Sequence, residues 1–227
     1  MTAINYLQGG LALILQVLIF NAMLRNGVRR YWPLFLYNVS LFLSTSVLML
    51  SLAGAAGWSR QTSRFFWMSE VIQQALVFCT IISFIHQRMS STRESKSPMT
   101  RWLIVGATVI LLGILGVHRD PNINVWMTPV SRDLSFAATI LNLLLWTVLL
   151  RDPKRNQRLL MVSGGLGVQL AGYAIGQGLR VLWEVSKVLA TLGNFVGTIT
   201  FLLSLYIIYR AFAQPDSAAS ESALSQT

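Results

Sequence analysis

Charged residues are scarce in this chain, at 11% of 227 residues, against roughly 25% in an ordinary soluble domain. With 54% of residues hydrophobic and a mean hydropathy of +0.57, too few charges remain to keep a folded surface wet, which excludes a soluble globular protein and points to a membrane protein. Cysteine is scarcer still. Cys79 is single, so an intramolecular disulfide and a cysteine metal cage are both excluded; deep in its apolar run beside Phe78 and Ile81, it reads as a small packing residue. The lysines are Lys96, Lys154 and Lys187, all at loops or helix ends, which leaves no mid-helix amine for a retinal Schiff base. The histidines, His86 and His118, fall at opposite faces of the membrane and cannot share a haem iron. The sequence contains no HExxH, no GxSxG and no pair of intramembrane aspartates. It therefore offers no catalytic residue, cofactor or metal ligand, and no enzyme is expected.

What is present is apolar sequence in long runs. A helix needs about 20 mostly apolar residues to cross a hydrocarbon core of about 30 Å. Seven stretches qualify: Leu7–Leu24, Pro33–Ala53, Phe65–Ile85, Trp102–Val117, Leu134–Leu150, Leu159–Leu179 and Val188–Tyr209. The fourth and fifth are short, and glycine weakens the sixth. Proline interrupts none of them, and Pro33 sits in a first turn, where its missing N–H costs nothing. The expected fold is all-α, a polytopic bundle of seven transmembrane helices over residues 1–212, followed by a disordered tail over 213–227 that is too polar to bury.

Acids number 8 against 18 Lys and Arg, a net charge of +10. Such an excess suggests nucleic acid in a soluble chain, but here the loops account for it. Arg25, Arg29 and Arg30, then Arg88, Arg93, Lys96 and Arg101, then Arg151, Lys154, Arg155 and Arg158, and finally Arg210 share one side. The other side holds Arg60, Arg64, Arg119, Arg132, Arg180 and Lys187. By the positive-inside rule the N-terminus is outside and the C-terminus cytoplasmic, with no cleaved signal peptide. Trp58, Trp67, Trp126 and Trp183 then fall at the outer interface, and Trp32, Trp102 and Trp146 at or near the inner one, as indole anchors do. Nucleic acid is not needed as a partner. The lipid bilayer is, with anionic headgroups facing the basic loops.

Glu70 is the one ionisable residue clearly inside a span, about 7 or 8 Å below the outer end of its helix at 1.5 Å per residue. An unpaired carboxylate at that depth is expensive, so it should face the bundle interior. Ser69, Glu70, Gln73, Gln74, Thr80 and Ser83 form a polar seam on that helix, opposite Val71, Phe78 and Ile82. Arg132 and Asp133 open the fifth span on the same outer side, and Arg180 closes the sixth beyond Gln177. These residues outline an outward-facing polar pocket of Glu70, Gln73, Gln74, Arg132, Gln177 and Arg180, able to hold a small zwitterion, ion or lipid headgroup. A buried ion pair that only fixes helix register is the equal alternative. Gly172 with Gly176, and Gly193 with Gly197, give the sixth and seventh spans small-residue spacing for close packing, more within the bundle than between copies. Gln169, Asn142, Asn38 and Asn21 are expected interhelical hydrogen-bond partners.

The runs Tyr31-Trp32-Pro33-Leu34-Phe35-Leu36-Tyr37, Arg64-Phe65-Phe66-Trp67-Met68-Ser69-Glu70 and Arg132-Asp133-Leu134-Ser135-Phe136, leading into Leu143-Leu144-Leu145-Trp146, resemble a group of uncharacterised bacterial multi-pass membrane proteins of similar length. The resemblance implies a helical bundle in the bacterial plasma (inner) membrane and carries no activity. Two functions remain. One is a non-enzymatic sensor, scaffold or complex subunit with a protein partner; the other is a small-molecule transporter or ligand-binding membrane protein built on the Glu70 pocket. The first is preferred from sequence, because neither broken helices nor an internal repeat signals a transporter.

Overall fold

A computed structural model describes residues 3–26, 28–53, 60–91, 105–106, 109, 112–114, 116–117, 123–150, 157–181 and 187–214, some of them by backbone alone. Among these residues there is no strand. The helices are α1 (Ala3–Asn26), α2 (Trp32–Ala53), α3 (Arg60–Ser91), α4 (Ile123–Leu150), α5 (Gln157–Val181) and α6 (Lys187–Ala213). Among the described residues, five stretches are long and apolar enough to cross a membrane: Tyr6–Arg25, Trp32–Ser51, Arg64–Gln87, Gln157–Gly176 and Lys187–Ala213. The described residues between Val105 and Val117, in the fourth expected span, are helical. The expected tail lies outside the described residues from residue 215 onward.

The helices outrun the apolar stretches that announced them. α3 starts at Arg60 rather than Phe65 and α4 at Ile123 rather than Leu134. Counting apolar residues stops at the first charge, whereas Arg and Gln are good helix formers and continue the helix into the headgroup layer. α4 also takes in Pro129 near its start, which withdraws one N–H from the hydrogen-bond ladder. Arg132 and Asp133 therefore sit within α4 and do not open it.

Each helix packs on the next, α5 on α6 most extensively, and α6 closes back on α1, so the six form a ring with α3 and α5 just meeting across it. The directions follow from the side chains that meet. Gln73 reaches Ser44, and Gln87 the Arg30 carbonyl, so α2 and α3 are antiparallel. Asn142 on Ser163 and Gln169 on Ser204 make α4–α5 and α5–α6 antiparallel as well, since Ser131 and Gly172 meet Tyr173 and Thr200 farther along. α3 and α4 differ. Glu70 meets Ser131 and Gln74 meets Ser135, both 61 residues apart, a constant offset that only parallel helices give.

The distribution of polarity is the reverse of a soluble protein's. Leu7, Ile14, Leu43, Leu50, Phe136 and Phe195 are exposed on the outside, while Gln16, Asn38, Thr80, Asn142, Ser163 and Ser204 are buried. Such an outside is suited to lipid, and the buried polar set must then find partners in the bundle. Thr80 does so by donating to the carbonyl one turn back, as do the half-buried Ser44, Thr45 and Thr200. At the end of the bundle where α6 stops, Tyr31 meets Phe84 and Phe212 edge-on at 5.9 and 5.2 Å. Arg158 covers the Phe212 ring and donates to the Ala211 carbonyl at 3.1 Å, closing the last turn of α6.

Glycine sets the spacing around α5. A Cβ on Gly172 would lie 1.8 Å from Thr200 Oγ1, and one on Gly176 would lie 3.0 Å from the Gly193 carbonyl oxygen and 3.8 Å from the Gly197 Cα. On the other side of α5, Asn142 rests against Gly167 and Trp146 against Gly164. Gly178, by contrast, has open space around it. Gly172→Ala is therefore expected to lower stability in detergent by about 1–3 kcal/mol through overpacking, and Gly178→Ala by little; equal thermal melts for the two variants would contradict this packing. Gln16 is fully buried and its amide has no hydrogen-bond partner among the described residues. Replacing an unsatisfied polar group by an apolar one of similar shape is neutral or stabilising, so Gln16→Met should melt no lower than the wild type.

Candidate functional site

A cavity of about 280 Å³ lies inside the ring, bordered by α1, α2, α3, α5 and α6. It reaches the surface at Asn194, which is exposed, near the start of α6. Each wall has a sequence cause. α3 contributes Ser69, Glu70, Gln73 and Gln74 at helical spacing, so one face delivers all four. α5 contributes Gly172 and Gly176, where it closes on α6, and α6 contributes Gly197. The deep end is polar too. Gln169 donates to the Tyr37 hydroxyl and accepts from Ser204 Oγ at 3.2 Å, which holds its amide in one orientation.

Glu70 is 8% exposed and is embedded in hydroxyls. The Tyr173 hydroxyl donates to Oε1. Ser131 Oγ stands 3.3 Å from the same oxygen and 2.8 Å from the Tyr173 oxygen, so its single proton can serve either. One turn deeper, Ser135 donates to Gln74 Oε1 at 3.3 Å. Across the cavity Gln73 donates to Ser44 at 2.8 Å, and Ser44 in turn donates to the Ser40 carbonyl.

Three of the six expected pocket residues, Glu70, Gln73 and Gln74, line this cavity. Arg132 does not. Its side chain is 66% exposed and its Nε donates to Asp133 at 3.2 Å, because on α4 it follows Ser131, which faces the interior. The side chains of Gln177 and Arg180 lie outside the described residues. The α3 wheel is also rotated from the expected one. Its outward face is Phe65, Met68, Ile72 and Cys79, while Phe78 is buried; contacts with both α2 and α4 leave only a narrow strip for lipid. Cys79 thus faces outward and is not packed in the core.

Tyr173, Ser131 and Ser135 were not anticipated. A signal for the serines exists: they repeat at the i, i+4 spacing of Glu70 and Gln74, as two parallel helices in register require. Comparison with family models, with curated proteins and with solved structures finds no match in any of the three. The site's chemistry therefore has to be argued from its own geometry.

The Tyr173 hydroxyl bond couples Glu70 and Tyr173 energetically. A double-mutant cycle of Glu70→Ala and Tyr173→Phe, read as unfolding free energy in detergent, should give a coupling of about 0.5–3 kcal/mol. Strict additivity would remove this contact from the account.

Proposed function

We propose that this protein is a non-enzymatic membrane protein that binds a small molecule inside its helical bundle, as a carrier or a ligand sensor. The observation behind the reading is the cavity itself. A cleft bordered by apolar and polar groups, with a buried carboxylate held by hydroxyls, is the arrangement of a ligand site, and intramembrane ionisable groups mark such sites. A bare register-fixing ion pair would need no such space beside it. A volume of about 280 Å³ suits a ligand at the small end of the usual range of roughly 300–1,000 Å³. The sensor reading also fits a scaffold or complex subunit, but the cavity favours a ligand over a purely structural role.

The membrane course proposed with this function has seven crossings, N-terminus outside and C-terminus cytoplasmic. Its support is the parallel pairing of α3 and α4: neighbours in sequence that run the same way need a return passage between them, and the helical residues between Val105 and Val117 fall there. Arg25, Arg29, Arg30 and Arg210 are exposed at the end where Arg158 caps α6. That basic end suits the cytoplasmic face and its anionic lipids. The cavity then opens outward, and a bacterial plasma (inner) membrane is the proposed location.

Gly197 lines the cavity, and a Cβ there would touch nothing within 4 Å. Gly197→Leu is expected to fill the cavity while leaving the fold intact. Mass spectrometry of the two proteins, extracted with native lipids, should find a small molecule on the wild type that is missing from a monodisperse Gly197→Leu. Identical bound species on both would count against the binding function.

A further inference from the structure

The hydrogen-bonding sense of the lining points to a ligand class, an inference that rests on the binding function proposed above. A Tyr hydroxyl has one proton, and a Gln amide has two on its nitrogen and none on its oxygen, so each bond made within the protein shows which atoms are left for a guest. At the deep end Ser204 donates to Gln169 Oε1, and Gln169 Nε2 donates to the Tyr37 oxygen. Tyr37 is 1% exposed, and its own proton has no acceptor among the described residues. Gln169 keeps a second N–H. Higher up, Gln74 takes the Ser135 proton on Oε1, which leaves its NH2 group without an acceptor among the described residues. The inner part of the cavity is therefore rich in spare donors.

Toward the mouth the sense reverses. Ser69, Thr45 and Thr198 border the cavity, and each spends its single proton on a carbonyl of its own helix, so only oxygen lone pairs remain to them. Ser44 is likewise committed to the Ser40 carbonyl and must accept from Gln73 Nε2, which leaves Gln73 Oε1 as the spare atom of that amide. An N–H or ammonium group sent to the floor would meet donors head-on. An oxygen with lone pairs would complete them, and a site with buried donors rejects a guest that leaves them unpaired. Two donors, from Tyr37 and Gln169, suit the two lone pairs of one carbonyl oxygen. Leu41, Leu170 and Phe201 border the same end and offer nothing to offset a full charge. We infer that the cavity takes a small neutral carbonyl compound, seated with its oxygen inward on Tyr37 and Gln169 and with a hydroxyl at its outer end.

A size-matched series tests this. The full probe is 5-hydroxypentan-2-one. In 4-methylpent-4-en-1-ol a methylene group replaces the carbonyl oxygen, in 2-hexanone a methyl group replaces the hydroxyl, and in 4-hydroxybutyrate a carboxylate replaces the acetyl group. Each is titrated against the full-length protein in lipid nanodiscs by ligand-observed NMR, with the signal on Gly197→Leu, the blocked control, subtracted. The full probe should bind about tenfold tighter than 4-methylpent-4-en-1-ol, the size of one well-made hydrogen bond, and tighter than the other two. Tyr37→Phe keeps the ring and removes the proton donor, and should shrink that preference to about threefold or less while leaving the comparison with 2-hexanone unchanged. Should Tyr37→Phe not fold, the choice between 5-hydroxypentan-2-one and 4-methylpent-4-en-1-ol by the wild type carries the test. Equal binding of those two would overturn the carbonyl assignment and leave the binding function standing. So would a preference undiminished in Tyr37→Phe, or binding of 2-hexanone or 4-hydroxybutyrate as tight as that of the full probe. No binding by any of the four would also overturn the assignment, while the binding function is judged separately by the molecules retained on wild type and Gly197→Leu.

Discussion

Three helices meet at one carboxylate. Glu70 on α3 accepts from Tyr173 on α5 and lies against Ser131 on α4, and without these contacts α3 and α5 would meet only marginally across the ring. In lipid there is no hydrophobic force to draw helices together, since the tails are as apolar as leucine. Polar groups that cannot be left in hydrocarbon do that work instead, and here they are concentrated where the ring needs a strut. The same demand accounts for the register of α3 against α4, because Glu70 with Ser131 and Gln74 with Ser135 can pair together only at one offset.

The other adhesive is the absence of side chains. α5 carries Gly165, Gly172 and Gly176 toward α6 and Gly164 and Gly167 toward α4. It is therefore the helix approached closely from two sides, and its neighbours supply the volume: Thr200 and Ile208 from one, Asn142 and Trp146 from the other. Close approach of backbones replaces the interlocking of large residues that holds a soluble core.

The membrane class and the positions of most helices were legible in the sequence, because apolar length against bilayer thickness is a nearly one-dimensional signal. Helix ends were less so, as α3 and α4 show by extending through Arg60 and Pro129. The α3 half of the site could be read from the spacing of Glu70, Gln73 and Gln74. The α5 half could not. Tyr173 becomes a partner of Glu70 only through the way α5 sits against α3, and no single-helix wheel contains that information. Arg132 shows a related limit: nearness to the membrane surface does not bring a side chain to Glu70, because one residue along a helix is a 100° turn, and Ser131 takes the inward position.

The glycines have a second effect, on what kind of receptor this cavity can be. Gly172, Gly176 and Gly197 present main chain to it, while α3 presents Glu70, Gln73 and Gln74, each oriented by a hydroxyl of a neighbouring helix. One wall is thus backbone, and the opposite wall is polar side chain held in place from α2, α4 and α5. Selectivity in such a vessel divides unevenly between the two: the glycine side fixes how bulky a guest can be, and the α3 side decides its chemistry. New specificities would arise by substitution along α3, with the size limit inherited unchanged.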